Sequence, residues 1–396
     1  MIDVRKWRVI ALWLIGLTYC TSVFSAPNVI DLNASPLEVQ INATYQDDFN
    51  PLLLPEESAT ALGIGLNGAI VAKGEGVWYQ LDYSASIDAF DRGSESIERT
   101  DSYENFRTQF LTRLFLSKEW FLDLAGQHEQ VDEAFGTGLS KLRPNIVEAD
   151  HREENSFFAN AVYGNDVSRR YLSLEYELLD REFDDINDYA TLFDITQQRL
   201  TLDLGLSISS ASRLLFQLNV FDDNFDRSVR NDSRMQSALI GFSWRASGKT
   251  SINALIGGYQ RQTNNQEDTS GISWSLGVVY APRDDFSVSL NSSQESIVGE
   301  DEFAANSVRR ASSVSVNYHF NDLWYLRTAF RVSDTDFEGS ANERTLDESD
   351  ISVVLGLALK EHNRIELSAR SLDVEDESIF IDYDQKEGKL TWFYDF

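Results

Sequence analysis

Apolar and polar residues alternate with a period of two along most of the chain. In one segment leucine holds every even position and polar residues or glycine hold the odd ones: Leu200, Leu202, Leu204 and Leu206 alternate with Arg199, Thr201, Asp203 and Gly205. Segments 237–244 and 272–280 repeat the pattern with Ile, Phe, Trp, Val and Tyr on the apolar side. Such alternation places each class of side chain on its own face of a β-strand. The sequence therefore predicts strands with one apolar and one polar face.

The alternating segments are joined by short polar turns and longer acidic loops that follow one another in regular order. We predict eighteen strands, at about 37–47, 58–71, 76–89, 105–117, 119–132, 156–164, 168–182, 196–208, 212–223, 234–246, 250–263, 271–281, 285–297, 308–320, 322–335, 350–360, 363–374 and 380–396. An even number of strands puts both ends of an antiparallel barrel on one side. The predicted fold is an all-β transmembrane antiparallel β-barrel of about 18 strands, with short periplasmic turns and long acidic extracellular loops.

Aromatic residues cluster near the strand ends that the short turns join. They are Trp120, Trp244, Tyr280, Tyr318, Phe320, Trp324 and Phe396. Aromatic side chains gathered at one level are typical of the girdle at a membrane interface. A soluble β-sandwich would also show alternation, but it requires no such girdle. The pattern therefore favours a membrane barrel over a soluble β-protein.

The chain ends on an aromatic, apolar strand face. Leu390, Trp392, Tyr394 and Phe396 alternate with Thr391, Phe393 and Asp395. This ending resembles the C-terminal signal by which outer-membrane barrels are recognised for insertion, although Thr391 stands where that signal often has Gly. We therefore predict that Trp392, Tyr394 and Phe396 form an assembly signal for the barrel-assembly machinery, with outer-membrane lipid and lipopolysaccharide as surroundings.

The beginning of the chain has the features of a secretory signal peptide. Arg5, Lys6 and Arg8 precede an apolar run over 9–17, and small residues follow. Cleavage after Ser25 avoids placing Pro27 directly behind the cut. The predicted organisation is a signal peptide over 1–25, a short periplasmic lead over 26–36 and an outer-membrane barrel over 37–396. This implies a Gram-negative cell.

Composition narrows the possible partners. The net charge of -30 argues against nucleic-acid binding by the surface. The acids crowd between the predicted strands: residues 334–350 hold seven Asp and Glu but one base, Arg344. The only cysteine, Cys20, follows the bulky Tyr19 and is assigned to the signal peptide rather than to a lipid anchor. The rest of the chain then has no thiol for a disulfide or a thiolate metal site.

A set of charged and aromatic residues is in antiphase with the apolar face and is predicted to line the lumen. The candidates are Arg107, Arg113, Arg199, Arg213, Arg245, Arg261, Arg327, Arg331, Arg364, Arg370, Trp78, Tyr171, Tyr259 and Tyr325, with Asp82, Asp123, Glu175, Glu177, Asp203 and Glu366 beside them. A charge facing lipid at mid-membrane depth would be costly. Two interpretations of the Arg residues stay open, namely a conduit for an anionic solute and ion pairs that brace the wall. The aromatic rings would stack on sugar rings in one interpretation and fill the rim in the other.

No motif for a cofactor, a metal or a reaction emerges. The acidic runs 184–188 and 222–226 match no ordered calcium loop and are interpreted as solvated. The segment 63–68 matches G-x-G-x-x-G, but it continues strand alternation and lacks a following helix. The four His residues are scattered without metal-ligand spacing. We therefore expect no catalytic residue, cofactor or metal, and we interpret residues 133–155 as the longest loop.

The repeated strand patterns, the acidic loops and the aromatic end together resemble a known family. Examples are Trp78-Tyr79-Gln80-Leu81-Asp82-Tyr83 and Arg170-Tyr171-Leu172-Ser173-Leu174-Glu175-Tyr176. Over nearly the whole chain the sequence is similar to the outer-membrane β-barrel porins associated with exopolysaccharide synthesis and export. The resemblance implies an outer-membrane passage for a polysaccharide that acts with a periplasmic polysaccharide-export protein. Our first hypothesis is therefore a passive channel for an exported, anionic exopolysaccharide. A general diffusion porin and a non-conducting barrel that anchors export machinery are the alternatives.

Overall fold

The computed structural model describes most of the chain. The described residues are 31–34, 37–48, 57–91, 102–133, 139, 149–164, 168–184, 189–227, 232–264, 266–298, 306–338, 344–360, 362–376 and 381–395. The predicted signal peptide and the final aromatic, Phe396, lie outside them.

These residues form nineteen strands and one short 3-10 turn, Ala190–Phe193. The strands are Asp31–Ala34 (β1), Glu38–Asp48 (β2), Glu57–Gly74 (β3), Val77–Asp91 (β4), Ser102–Phe115 (β5), Trp120–Glu133 (β6), Asp150–Tyr163 (β7), Arg170–Phe183 (β8), Ile195–Ser207 (β9), Ser212–Phe225 (β10), Ser233–Ser247 (β11), Thr250–Thr263 (β12), Thr269–Arg283 (β13), Phe286–Ile297 (β14), Asn306–His319 (β15), Trp324–Glu338 (β16), Arg344–Lys360 (β17), Asn363–Asp376 (β18) and Ile381–Asp395 (β19).

The strands close into one antiparallel barrel. Each strand from β2 to β19 pairs with its neighbours in the chain, and β19 pairs with β2, where Trp392 lies opposite Ile41. Because β19 pairs with β2, the described wall has no unpaired first or last strand. The prediction of an antiparallel barrel of about 18 strands is confirmed.

Most strand boundaries lie within three residues of the predicted ones, and three features differ more from the prediction. The short strand β1 falls in the predicted lead and pairs with β3, Asp31 opposite Lys73. The predicted loop 133–155 is shorter, because β7 begins at Asp150. The acidic segment 334–350 is largely strand, since β16 runs to Glu338 and β17 starts at Arg344. Cross-strand pairing overrides the low strand propensity of Asp and Glu here.

The two faces of the wall differ in character. On β2, Ile41 is 47% exposed, whereas the neighbouring Asn42 is 3% exposed and points to the opposite face. The face that carries Ile41, Leu62, Phe242 and Trp392 is called the outer face, and the opposite one the inner face. Large exposed apolar side chains recur on the outer face of nearly every strand. The barrel therefore presents an apolar exterior and a polar, crowded interior.

The aromatic residues near the short turns contact one another. Trp120 lies 5.0 Å from Tyr163 between ring centroids, and Tyr318 lies 4.7 Å from Phe320 and 6.1 Å from Phe286. These rings lie at the ends of the strands that the short turns join. They form an aromatic band at that end of the barrel.

Two glycines allow β11 and β12 to approach closely. A Cβ on Gly257 would lie 1.9 Å from the carbonyl oxygen of Ala238, and one on Gly241 would lie 1.8 Å from that of Ala254. Both neighbours are backbone atoms that cannot rotate away. Glycine in a strand interior often marks such a close approach or a bend of the wall.

The ladder between β13 and β14 ends early. It stops where Trp274 lies opposite Gln294. Beyond that point β13 continues to Thr269 on β12, and β14 continues to Ile297 beside β15. The wall therefore separates along a seam at the long-loop end of these two strands.

The close approach at Gly257 generates a stability prediction. Gly257→Ala should reduce the yield of folded barrel, because overpacking against backbone costs about 1–3 kcal/mol. Gly277→Ala is the matched control, since its Cβ would meet only the Asn291 side chain at 3.5 Å. The fraction of heat-modifiable barrel on gels measures both, and equal yields would contradict the proposed crowding.

Candidate functional site

The strand register brings all fourteen predicted lumen residues to the inner face. Trp78 pairs with Arg113, and Arg113 pairs with Asp123. On the other side of the barrel Tyr325 pairs with Gly356, which pairs with Glu366. The inner-face members are Arg107, Arg113, Arg199, Arg213, Arg245, Arg261, Arg327, Arg331, Arg364, Arg370, Trp78, Tyr171, Tyr259 and Tyr325.

Six of these Arg residues form ion pairs with inner-face carboxylates. The pairs are Arg113–Asp123 at 2.6 Å, Arg199–Glu177 at 3.3 Å, Arg261–Asp223 at 2.8 Å, Arg327–Glu366 at 2.8 Å, Arg364–Glu38 at 3.1 Å and Arg370–Asp350 at 2.8 Å. Arg113 contacts both Asp123 oxygens through Nε and Nη2, a bidentate geometry that fixes the guanidinium plane. Three of the pairs join neighbouring strands, whereas Arg261–Asp223, Arg327–Glu366 and Arg364–Glu38 each reach over one intervening strand. Together the pairs brace the wall and neutralise much of the Arg charge.

Two of the Arg residues form no ion pair with a carboxylate among the described residues. Arg107 donates from Nη2 to the neutral Gln127 Oε1 at 2.8 Å. Arg331 lies opposite Ser313 and Asp350 and makes no hydrogen bond or ion pair within the described part of the chain. Both residues lie near the middle of their strands. They are therefore the clearest sources of positive potential inside the barrel.

The four aromatic candidates have different surroundings. Arg213 lies over the Tyr171 ring at 5.5 Å, and Arg327 lies over the Tyr325 ring at 5.3 Å. The Tyr325 hydroxyl also donates to Glu366. Tyr259 is only 6% exposed, so its ring is not open to a passing solute in this conformation. Most of these rings contact guanidinium groups or pack in the wall. This favours the interpretation in which the rings fill the rim over the one in which they stack on sugar rings.

A cavity of about 540 Å³ lies against the inner face of β8 to β14. Its lining is rich in amides and hydroxyls, and it includes Thr201, Gln217, Asn219 and Ser237. The Thr201 hydroxyl donates to Asn219 Oδ1 at 3.0 Å, and the Asn219 amide donates to Ser237 at 2.9 Å. The interior at this level is thus a hydrogen-bonded polar surface rather than a packed apolar core.

An apolar cluster at the long-loop end was missed from the sequence. Phe183, Ala190, Phe193 and Leu139 pack together, and Phe193 and Leu139 also line the cavity. The Tyr189 hydroxyl donates to Asp150 Oδ2 at 2.5 Å and ties this cluster to β7. The apolar run 190–193 behind an acidic segment was the available signal.

Asp194 follows this cluster and accepts a hydrogen bond from the Phe183 N–H at 2.8 Å. Burial raises the pKa of Asp194 to about 6, and the nearby Asp226 carboxylate adds to the rise. The Phe183 hydrogen bond acts in the opposite direction but is the smaller effect. This carboxyl therefore takes up a proton in the mildly acidic range.

The terminal strand keeps its aromatic residues together on the outer side. Trp392 and Tyr394 lie 5.9 Å apart between ring centroids, and Trp392 Nε1 donates to Asn363 Oδ1 at 3.2 Å. Phe393 lies on the inner face, with Arg364 4.0 Å above its ring. Phe396 belongs to the same predicted signal but lies outside the described residues.

The acidic run 222–226 is held by protein cations. Asp222 lies 3.5 Å from Arg234, and Asp223 lies 2.8 Å from Arg261. Across the described ranges no group of three His, Cys, Asp or Glu side chains is placed to hold a metal ion. Of the predicted run 184–188, residues 185–188 lie outside the described residues.

No helix in the described part of the chain is both long enough and apolar enough to cross a membrane.

No protein-family model matches the sequence, and no curated protein matches it. Among solved structures, the FrpB iron transporter from Neisseria meningitidis (F3-3 variant) is similar at a TM-score of 0.50 and 9% identity. The alignment covers 86% of this chain and 62% of that chain.

Two further structures align over nearly their whole length at lower scores. OccAB3 from Acinetobacter baumannii has a TM-score of 0.46 and 13% identity, with 91% of this chain and 99% of that chain covered. The outer membrane protein OpdK from Pseudomonas aeruginosa has a TM-score of 0.46 and 12% identity, with 92% and 99% covered.

The similarity to the iron transporter shows the fold alone. None of the comparisons connects the chain with polysaccharide export.

The raised pKa of Asp194 predicts a pH-dependent stability. The folded barrel binds this proton more tightly than the unfolded chain, whose Asp pKa is about 4. The stabilisation of the folded barrel by this proton is fully present below about pH 4 and is lost as pH rises through about 6. In Asp194→Asn the thermal unfolding midpoint should depend less on pH over this window. Asp285→Asn, in a short turn, should keep the wild-type pH dependence. An unchanged slope in Asp194→Asn would contradict the assignment.

Proposed function

We propose that the protein is an outer-membrane channel whose lumen is the braced inner face of the barrel. The observation that carries the proposal is the opposition of an apolar outer face and a charged, hydrogen-bonded inner face around a closed 18-stranded wall. A barrel of this strand number is wide enough for an aqueous passage. The apolar outer face needs lipid, and an aqueous interior accounts for the polar inner face.

In the proposed membrane orientation, the short turns and the two ends of the barrel chain face the periplasm. The long acidic loops face the outside of the cell. The aromatic band near the short turns then lies at the periplasmic interface, where such rings are enriched. Outer-membrane lipid and lipopolysaccharide surround the wall. The barrel-assembly machinery would recognise β19 through its aromatic residues Trp392 and Tyr394.

The preferred solute is anionic in this proposal. Arg107 and Arg331 carry charge that no described carboxylate neutralises, whereas six other Arg residues are paired. Fixed positive charges inside a low-dielectric wall raise the local anion concentration. Because most Arg residues are paired, the preference is modest.

The sequence resemblance extends the proposal to an exported anionic exopolysaccharide, delivered by a periplasmic polysaccharide-export protein. The amide- and hydroxyl-rich cavity lining is compatible with a hydroxylated polymer, and it supports a small polar solute equally well. A general diffusion porin is therefore the second candidate. A non-conducting anchor is the third, and the absence of any conductance would favour it.

Selectivity in planar bilayers tests the proposal. We expect modest anion preference in reversal potentials measured across a salt series, because salt screens the loop carboxylates that attract cations at the outer mouth. Changing Arg107 and Arg331 together to Gln should lower the anion-to-cation permeability ratio by roughly twofold.

The matched control removes a neutral pair. Arg370→Gln with Asp350→Asn eliminates one cation and one anion and should leave the ratio unchanged. Cation selectivity at every salt concentration would reject the anionic proposal. Block of the current by an anionic polysaccharide, but not by a neutral one of equal size, would favour the export channel over the general porin.

A further inference from the structure

At the seam between β13 and β14, one part of the wall lies inside the rest of the barrel. Past Trp274 and Gln294 the two strands no longer pair. The adjoining ends of β14 and β15, residues 295–298 and 306–309, are called the tucked edge. They stay paired with each other, Ser296 opposite Val308. The tucked edge is therefore one hairpin-like unit rather than two separate strands.

A buried polar network holds the tucked edge. Arg261 on β12 donates from Nε to Ser296 Oγ at 2.9 Å and from Nη1 to Asp223 at 2.8 Å. The Arg261 and Asp223 side chains are 4% and 3% exposed. Ser296 in turn donates to Asn306 at 2.6 Å, and Asn306 donates to Glu338 at 2.7 Å. One guanidinium thus joins the inner face of β10 and β12 to the tucked edge.

Apolar packing adds to this network. Val308 of the tucked edge is 4% exposed and packs against Met235 and Tyr259. Phe221 borders the same cluster. The three side chains of this cluster all lie on the inner face. Phe221 lies opposite both Arg199 and Met235, and Tyr259 lies opposite Ser237. The tucked edge therefore lies inside the wall formed by β10 to β12.

The tucked edge borders the cavity directly. Residues 295–298 line it on one side, and Arg199, Gln217 and Asn219 line it on the other. The tucked edge is therefore part of the cavity wall, and its position changes the free width of the cavity at this level.

Two features indicate that this position is reversible. Side-chain bonds replace the backbone ladder at the seam, with Gln294 Nε2 donating to the Ile272 carbonyl at 2.7 Å and Ser273 Oγ donating to the Gln294 carbonyl at 3.0 Å. The Ser307 hydroxyl is fully buried and has no hydrogen-bond partner within the described ranges. A buried hydroxyl without a partner gains a hydrogen bond when the edge moves into water.

We propose that the tucked edge is a gate of the channel, held closed by Arg261. This inference rests on the proposed channel function. Arg261 is a positioning residue in it, since the residue acts by holding Ser296 and not by contacting the solute. Movement of the edge away from β11 and β12 widens the passage.

The first experiment compares conductance at about 1 M salt, where differences in lumen charge are screened. Arg261→Gln breaks the ion pair with Asp223 and should raise single-channel conductance by about twofold or more. Arg370→Gln is the matched control, because it breaks an inner-face ion pair away from the tucked edge. Its conductance should stay near the wild-type value.

A crosslink separates movement from any other effect of the substitution. Met235→Cys and Val308→Cys, in a Cys20→Ser background, place two thiols in the contact that closes the gate. Joined by a short bifunctional thiol reagent, they should cancel the gain of Arg261→Gln, and cleavage of the linker should restore it. A gain that persists in the crosslinked protein would overturn the proposal.

A second readout does not require conduction. A lone Val308→Cys should react slowly with a water-soluble maleimide in an otherwise native barrel and several-fold faster when Arg261 is Gln. Faster labelling without any current would reject the channel function but keep the movement. Equal labelling rates in the two proteins would reject the gate. If Arg261→Gln folds poorly, Ser296→Ala replaces it in this comparison, because it removes the same contact between Arg261 and the tucked edge.

Discussion

The structure depends above all on the pairing of backbone groups around a closed wall. A segment that crosses hydrocarbon has no water to satisfy its N–H and C=O groups, so it must satisfy them within the protein. Pairing of β19 with β2 meets this condition by joining the two ends of the sheet. Once the wall is closed, alternation leaves only two environments for side chains. The apolar outer face and the polar inner face follow from that closure.

The inner face shows how a wall can hold many charges without becoming strongly charged. Pairs such as Arg113–Asp123 and Arg370–Asp350 link adjacent strands, and each removes most of the potential that its Arg would produce. In the proposed channel, the Arg residues without such partners contribute most to selectivity. The sequence suggested either a conduit or a brace, and most of these Arg residues are paired as a brace requires. Arg261 has a further role, because the guanidinium that pairs with Asp223 also donates to Ser296 of the tucked edge.

Period-two alternation was sufficient to predict the eighteen strands of the wall, although not the short β1, and to separate the two faces of each strand. This works because a one-residue error in register would move a whole strand to the wrong face. The loop boundaries were predicted less well, since acidic residues such as Asp334 and Asp347 gave no sign that they pair with each other across β16 and β17. The inward seam at Gln294 depends on contacts between residues far apart in the chain. No local sequence pattern predicts such contacts, so the cavity and the proposed gate could be found only in the structure.

The most direct test of the account is the environment of single labels along β11. Nitroxide labels at Ile240 and Phe242 lie on the outer face, and labels at Ser237 and Ser243 lie on the inner face. In lipid vesicles we expect the first pair to be relaxed mainly by lipid-soluble oxygen and the second pair mainly by a water-soluble nickel complex. The two accessibilities should alternate from residue to residue. Equal accessibility on both faces, or water contact at Ile240 and Phe242, would contradict a lipid-embedded barrel with an aqueous lumen.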